Sequence, residues 1–170
     1  MSDRAKELLE ELERHWPEEM DAQRYIAIQT ALTLLDKGIT YSQPQRHAMN
    51  KETGYPKSMD CSSFVTYCLI AAGQKIKGTD KDAAAYTGTY LGSNLYTWIK
   101  PKDLIPGDVA LYSTSYSGGN HIGMYIGQGD DGKQIWIEVT GGGVVVFHKN
   151  KHWAAYLRYN QYDENYQYNV

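Results

Sequence analysis

The hydrophobic pattern changes period at Ile105-Pro106-Gly107-Asp108, and that change restricts the fold more than any other feature of the chain. Upstream, apolar residues recur at helical spacing: Leu8, Leu9 and Leu12 on one segment, then Tyr25, Ile28, Leu32 and Leu35 on the next. Downstream come five short runs rich in apolar and aromatic residues, 109–112, 122–127, 134–140, 144–148 and 154–159. Glycine-rich turns separate the first four and Lys149-Asn150-Lys151 the last two, the pattern of strands joined by short connections. Helices first and strands afterwards predict an α+β fold, with N-terminal helices packed on a roughly five-stranded antiparallel sheet.

Ser2 or Asp3 can cap a first helix running to about Trp16, where Pro17 interrupts it. A second helix is expected over about residues 18–36, ended by Lys37-Gly38. Residues 39–60 carry Pro44, Gly54 and Pro56 and read as a long irregular loop. Such loops inside compact domains are usually functional. A third helix is expected from about Cys61 to Ala72, stopping at Gly73. Residues 82–90 suggest a short helix and 94–99 a short strand or turn, while the polar tail 161–170 reads as a frayed end. Nothing resembling a repeat or a linker divides the chain. One catalytic domain over residues 1–160 is therefore expected, with residues 1–20 as a helical extension.

A net charge of -3 and a pI near 5.9 give no electrostatic case for nucleic acid or an anionic membrane as partner. The segment 1–10 is charged and lacks the apolar run of a signal peptide, and no run reaches the length of a membrane span. The expectation is a monomer made without a signal peptide. Cys61 and Cys68 would lie two turns apart on one helix, about 10 Å along its axis. That is too far for a disulfide, so two free thiols are expected. Their spacing fits no common zinc pattern.

Cys61 opens its helix, where the positive end of the helix dipole favours a thiolate. Cys68, in the apolar middle of the same helix, reads as core. His121 follows a glycine-rich turn and begins an apolar strand. Alternation puts His121, Gly123 and Tyr125 on one face and Ile122, Met124 and Ile126 on the other, with Gly123 leaving room beside the ring. His15, His47, His148 and His152 have no comparable setting. An imidazole delivered to a thiol is the chemistry of a cysteine hydrolase, and its base needs a group to orient it. Glu138, within Ile135-Trp136-Ile137-Glu138-Val139, is the candidate, because a lone carboxylate in an apolar strand is costly unless paired. Set against this are a core thiol, a hydrogen-bonded strand-end histidine and a solvent-facing glutamate.

Three segments in order, Asp60-Cys61-Ser62-Ser63-Phe64-Val65, Pro106-Gly107-Asp108-Val109-Ala110-Leu111-Tyr112 and His121-Ile122-Gly123-Met124-Tyr125-Ile126-Gly127, resemble the NlpC-type cell-wall peptidases. That family belongs to the papain-like superfamily, alongside the CHAP amidases and related phage lysins. The resemblance covers about residues 22–160. It implies a papain-like fold with Cys61 as nucleophile at a helix N-terminus, His121 as base and no metal or cofactor. The third polar residue falls on Glu138, where NlpC-type enzymes often have histidine and CHAP amidases glutamate. Tyr41, in Gly38-Ile39-Thr40-Tyr41, is the implied site-lining tyrosine, and Asp60 and Ser62 are implied to bind the polar end of the substrate. The implied reaction is hydrolysis of an amide in bacterial peptidoglycan or muropeptides, as an endopeptidase or an N-acetylmuramoyl-L-alanine amidase. The Cys61 backbone N–H would help hold the oxyanion. Other readings of the same dyad are a papain-like acyltransferase, a deamidating toxin or a non-enzymatic binding module. The setting implied is action at the wall after lysis or dedicated export, as a phage lysin, a secreted effector or a domain of a longer protein.

Overall fold

The computed structural model describes residues 1–74, 86–115 and 120–160. The expectations for 161–170, for the turn at 117–119 and for the first part of the 82–90 helix lie outside the described residues. Helix α1 (Asp3–Glu13) is capped by Ser2, whose hydroxyl accepts the Ala5 N–H. It ends before Trp16, whose indole N–H instead reaches the Ile126 carbonyl at 2.9 Å and pins the helix to the sheet. Helix α2 (Ala22–Leu34) starts later than the expected residue 18, at the point where the Asp21 carboxylate caps the Arg24 N–H.

The loop at 39–60 is more ordered than expected. Two short strands within it, β1 (Thr40–Tyr41) and β2 (Ser58–Met59), pair in parallel and deliver the chain to α3 (Cys61–Ala71). After α4 (Thr87–Gly92) come β3 (Tyr96–Trp98), β4 (Val109–Leu111), β5 (Ile122–Gln128), β6 (Gln134–Thr140), β7 (Gly143–His148) and β8 (Ala155–Tyr159). Among the described residues these form one six-stranded antiparallel sheet in the order β3-β8-β4-β5-β6-β7. The expected five strands gain a sixth because the segment at 94–99, too short to show a period, pairs with β8 at the sheet edge.

Alternation gives the sheet two different faces. Ile122, Met124, Ile126, Ile135, Ile137 and Val139 join the main core with Ile28, Leu32, Phe64 and Leu69 of α2 and α3. Ala110, Tyr125, Trp136, Trp153 and Tyr156 make a smaller aromatic cluster on the other face. The tie between helices and sheet is ionic. The Asp108 carboxylate, wholly buried, accepts from Arg24 Nη1 at 3.0 Å, from Arg158 Nη2 at 2.8 Å and from the Ile105 N–H at 2.8 Å. Arg24 Nη1 also donates to the Pro106 carbonyl at 2.9 Å. Gly107, at φ +100°, lets the guanidinium stem pass, since a Cβ there would stand 3.2 Å from Arg24 Cγ. The Pro106-Gly107-Asp108 turn is thus a docking point for α2.

Breaking a buried ion pair from one side leaves a charge without compensation and costs about 3–5 kcal/mol. Asp108→Asn should therefore lower the melting temperature by on the order of 10 °C for a chain of this size. A calorimetric midpoint equal to that of the native chain would show that the ionic cluster contributes nothing.

Candidate active site

Cys61 is the first residue of α3, and the turn before it is held rigidly. Asp60 caps the helix: its carboxylate accepts the Ser63 N–H at 2.8 Å while the Ser63 hydroxyl accepts the Asp60 N–H at 2.9 Å. This reciprocal arrangement satisfies two donors that a helix start otherwise leaves open. Arg46, its side chain only 2% exposed, lies with Nε 3.0 Å from Asp60 Oδ2 and donates from Nη2 to the Ser62 hydroxyl at 2.9 Å. Its guanidinium stacks 4.0 Å from the Tyr86 ring centroid. Cys61 is half-buried, whereas Cys68 is fully buried and its thiol is pushed far above the ordinary range by desolvation.

His121 arrives from the far side, immediately before β5. Asn120 clasps the approach: its Oδ1 accepts the N–H of His121 at 2.8 Å and of Ser113 at 2.9 Å, and its Nδ2 donates to the Ser113 carbonyl at 2.7 Å. The ring Nε2 lies 2.6 Å from Glu138 Oε1. Glu138 is 1% exposed, so it does not face solvent. Its second oxygen receives Lys151 Nζ at 2.7 Å. The ring is flanked by Tyr112 and Trp153, at centroid distances of 5.0 and 6.0 Å.

Burial opposes a charge on His121, but the hydrogen bond with Cys61, then that with Glu138, then the charges of both outweigh it. The imidazole is raised from 6.5 to about 9. Because Nε2 is engaged by Glu138, Nδ1 is the ring nitrogen left for Cys61. Thiol, imidazole and carboxylate are thus gathered at one place, the three groups that nucleophilic catalysis by cysteine uses.

These groups share a cleft of about 440 Å³, with Tyr41 and Tyr112, both about half exposed, on its rim. Of the residues expected from sequence, Cys61, His121, Glu138 and Tyr41 therefore line one cavity. Asp60 and Ser62 do not line it; both are buried against Arg46 beneath the Cys61 turn. Arg46 and Lys151 went unread in the sequence, since a basic residue in a polar loop carries no local mark of burial. A larger cleft, about 650 Å³, lies between Trp98, Lys100 and Arg158, but no cysteine or histidine lines it. Among the described residues no three His, Cys, Asp or Glu side chains converge as metal ligands, and no helix is long and apolar enough to cross a membrane.

The contrast between the two thiols is open to direct measurement. Iodoacetamide near neutral pH is expected to modify Cys61 and spare Cys68, because reactivity follows exposure and thiolate character. Equal labelling of both in peptide mapping would contradict the distinction.

Comparison with curated proteins and with solved structures gives no significant match. Residues 48–161, more than half of the chain, match the NlpC/P60 family. The match takes in Cys61, His121 and Glu138 and begins later than the expected residue 22, so α1, α2 and Tyr41 fall outside it. The chain belongs to the NlpC/P60 family, whose members are cysteine peptidases of the bacterial cell wall.

Proposed function

We propose that the protein hydrolyses an amide bond in the stem-peptide region of bacterial peptidoglycan, with Cys61 as nucleophile, His121 as general acid and base, and Glu138 as the group that orients the imidazole. The observation that carries this reading is the His121 ring, whose Nε2 lies 2.6 Å from Glu138 Oε1 in a cleft that Cys61 also lines. Membership of a family of cell-wall cysteine peptidases supports the substrate class.

In this reading Cys61 Sγ, as thiolate, attacks the amide carbonyl and forms a C–S bond. The carbonyl oxygen takes up the charge, which the Cys61 backbone N–H, in the first turn of α3, stabilises. The imidazolium then gives its Nδ1 proton to the amide nitrogen, the C–N bond breaks and the amine leaves. Water loses a proton to Nδ1 as its oxygen attacks the thioester, and the C–S bond breaks to release the acid. The thiolate and imidazolium are restored. The net change is one amide and one water converted to one acid and one amine. Tyr41, on the rim, contacts the substrate, whereas Asp60 and Ser62 act with Arg46 to hold the Cys61 turn in place.

Purified wall incubated with the native chain should release soluble muropeptides, and Cys61→Ala should release none. Retained release by the alanine variant would refute the mechanism. Mass spectrometry of the new termini separates the two candidate bonds, because an amidase frees L-alanine from the muramoyl group and an endopeptidase cuts within the stem. A binding module would leave the wall intact.

Two further outcomes follow from the imidazole. Glu138→Gln keeps the shape but removes the charge that holds the tautomer, and should lower kcat by at least about a hundredfold. Because the His121 proton is held up to about 9, leaving-group protonation should persist through neutral pH and fail as pH rises through that value. A rate that keeps climbing to pH 10 would show that His121 is not the acid.

A further inference from the structure

Lys151 follows β7 in a turn that also carries Lys149, and only one of the two lysines is exposed. The Lys151 side chain is 7% exposed, with Nζ 2.7 Å from Glu138 Oε2. Its ammonium stands 3.7 Å from the Phe147 ring centroid and 5.4 Å from that of Trp153, and donates to the Tyr112 hydroxyl at 3.3 Å. Withdrawing a flexible, strongly hydrated lysine from water is unfavourable in both entropy and solvation. The aromatic faces offset part of that cost, and the carboxylate offsets the rest. The backbone does not depend on this side chain. The Lys151 N–H donates to Gln134 Oε1 at 3.0 Å, and the Tyr156 hydroxyl approaches the Lys151 carbonyl at 3.5 Å.

The carboxylate of Glu138 has one oxygen on His121 and the other on Lys151, with apolar and aromatic neighbours around it. A carboxylate in such a place needs a charged partner to stay charged and an anchor to stay aimed. If Glu138 took up a proton or turned away, Nε2 would lose its acceptor, and the ring would no longer be committed to presenting Nδ1 to Cys61. We infer that Lys151 is a positioning residue for the proposed hydrolysis, holding Glu138 Oε2 so that Oε1 stays on His121 Nε2. The line of interacting groups then runs Cys61, His121, Glu138, Lys151 and alternates in charge when the thiol is ionised. The other titratable groups that line this space are Tyr41 from β1, Tyr112 after β4 and the exposed Lys149 after β7. Of the two lysines lining the cleft, Lys151 is the one that pairs with Glu138, on the oxygen that His121 leaves open.

This inference rests on the reading of Cys61 and His121 as the reacting pair, and its test therefore includes a readout that needs no turnover. Lys151→Met and Lys151→Arg are made in the full chain, with circular dichroism and melting to confirm the fold. Kinetics on muropeptides and an NMR titration of the His121 ring follow. Lys151→Met should lower kcat by about tenfold to a hundredfold, the range typical for outer partners that hold the ligands of a metal site. KM should change little, and His121 should titrate below its value in the native chain because the ring has lost its carboxylate. Lys151→Arg, which keeps the charge, should restore much of kcat and of the titration. An unchanged or higher His121 titration in Lys151→Met would overturn the inference, since Glu138 would then hold the ring unaided. So would equal loss of kcat in the Met and Arg variants with the ring titrating as in the native chain, because that describes packing alone. Should the native chain release no muropeptides, the proposed reaction fails, and the ring titration still decides whether Lys151 governs the Glu138–His121 contact.

Discussion

The contact between Glu138 and His121 exists because residue 123 has no side chain. A Cβ at Gly123 would stand 2.7 Å from Glu138 Cγ and 2.9 Å from Trp153 Cη2, nearer than real Cβ atoms come. With glycine there, the carboxylate lies across the face of β5 and meets the imidazole two residues upstream at 2.6 Å. The indole of Trp153 occupies the rest of the gap and runs nearly parallel to the His121 ring, at 15° between planes. Any larger residue would push both neighbours away at once. The glycine is therefore a requirement of the site, and the sheet's ladder tolerates it because β5 is paired on both sides, to β4 and to β6.

The site needs two bodies brought together, and different forces hold each. On the helix side, apolar burial against α2 fixes α3, while the Asp60–Ser63 capping box and the Arg46 contacts fix its first turn. On the sheet side, Asn120 ties both ends of the approach to His121. The Arg24–Asp108–Arg158 cluster couples the two bodies, because Arg24 lies on α2, Asp108 in the turn that leads into β4 and Arg158 on β8. Buried charge pairs add little net stability compared with apolar packing of equal volume, but they are directional. Direction is what a thiol and an imidazole from separate elements require.

How far the sequence could be read follows from these forces. Strand alternation alone assigned Glu138 to the face opposite Ile137 and Val139, and there the structure places it beside His121. A cap at Ser2 or Asp3 was legible because capping is local, and the structure gives it to Ser2. The parallel pairing of β1 with β2 was not, since two-residue strands carry no period and their partner lies at the other end of a loop. Strand order was equally hidden: β8 inserts between β3 and β4, a choice made by burial of whole faces. Asp60 and Ser62 show a sharper difficulty. The resemblance implied that they bind the polar end of a substrate; the structure shows both engaged at the capped helix start and with the buried Arg46, which sits fourteen residues before Asp60 with no local signal.

The proton on His121 links the site to the stability of the fold. Its affinity is higher in the folded chain than the ordinary imidazole value of 6.5, reaching about 9. By linkage, a group that binds its proton more tightly when folded adds stability that is complete below its unfolded pKa. That stability drains away between 6.5 and about 9 as the solution becomes alkaline. The same deprotonation removes the acid that the proposed leaving group needs. Activity and this part of the stability therefore decline in the same direction, as pH rises, and for the same reason: the cation that binds Cys61 to Glu138 is gone. An imidazole held only by packing would show neither dependence, so the coincidence of the two is a property of the charge line itself.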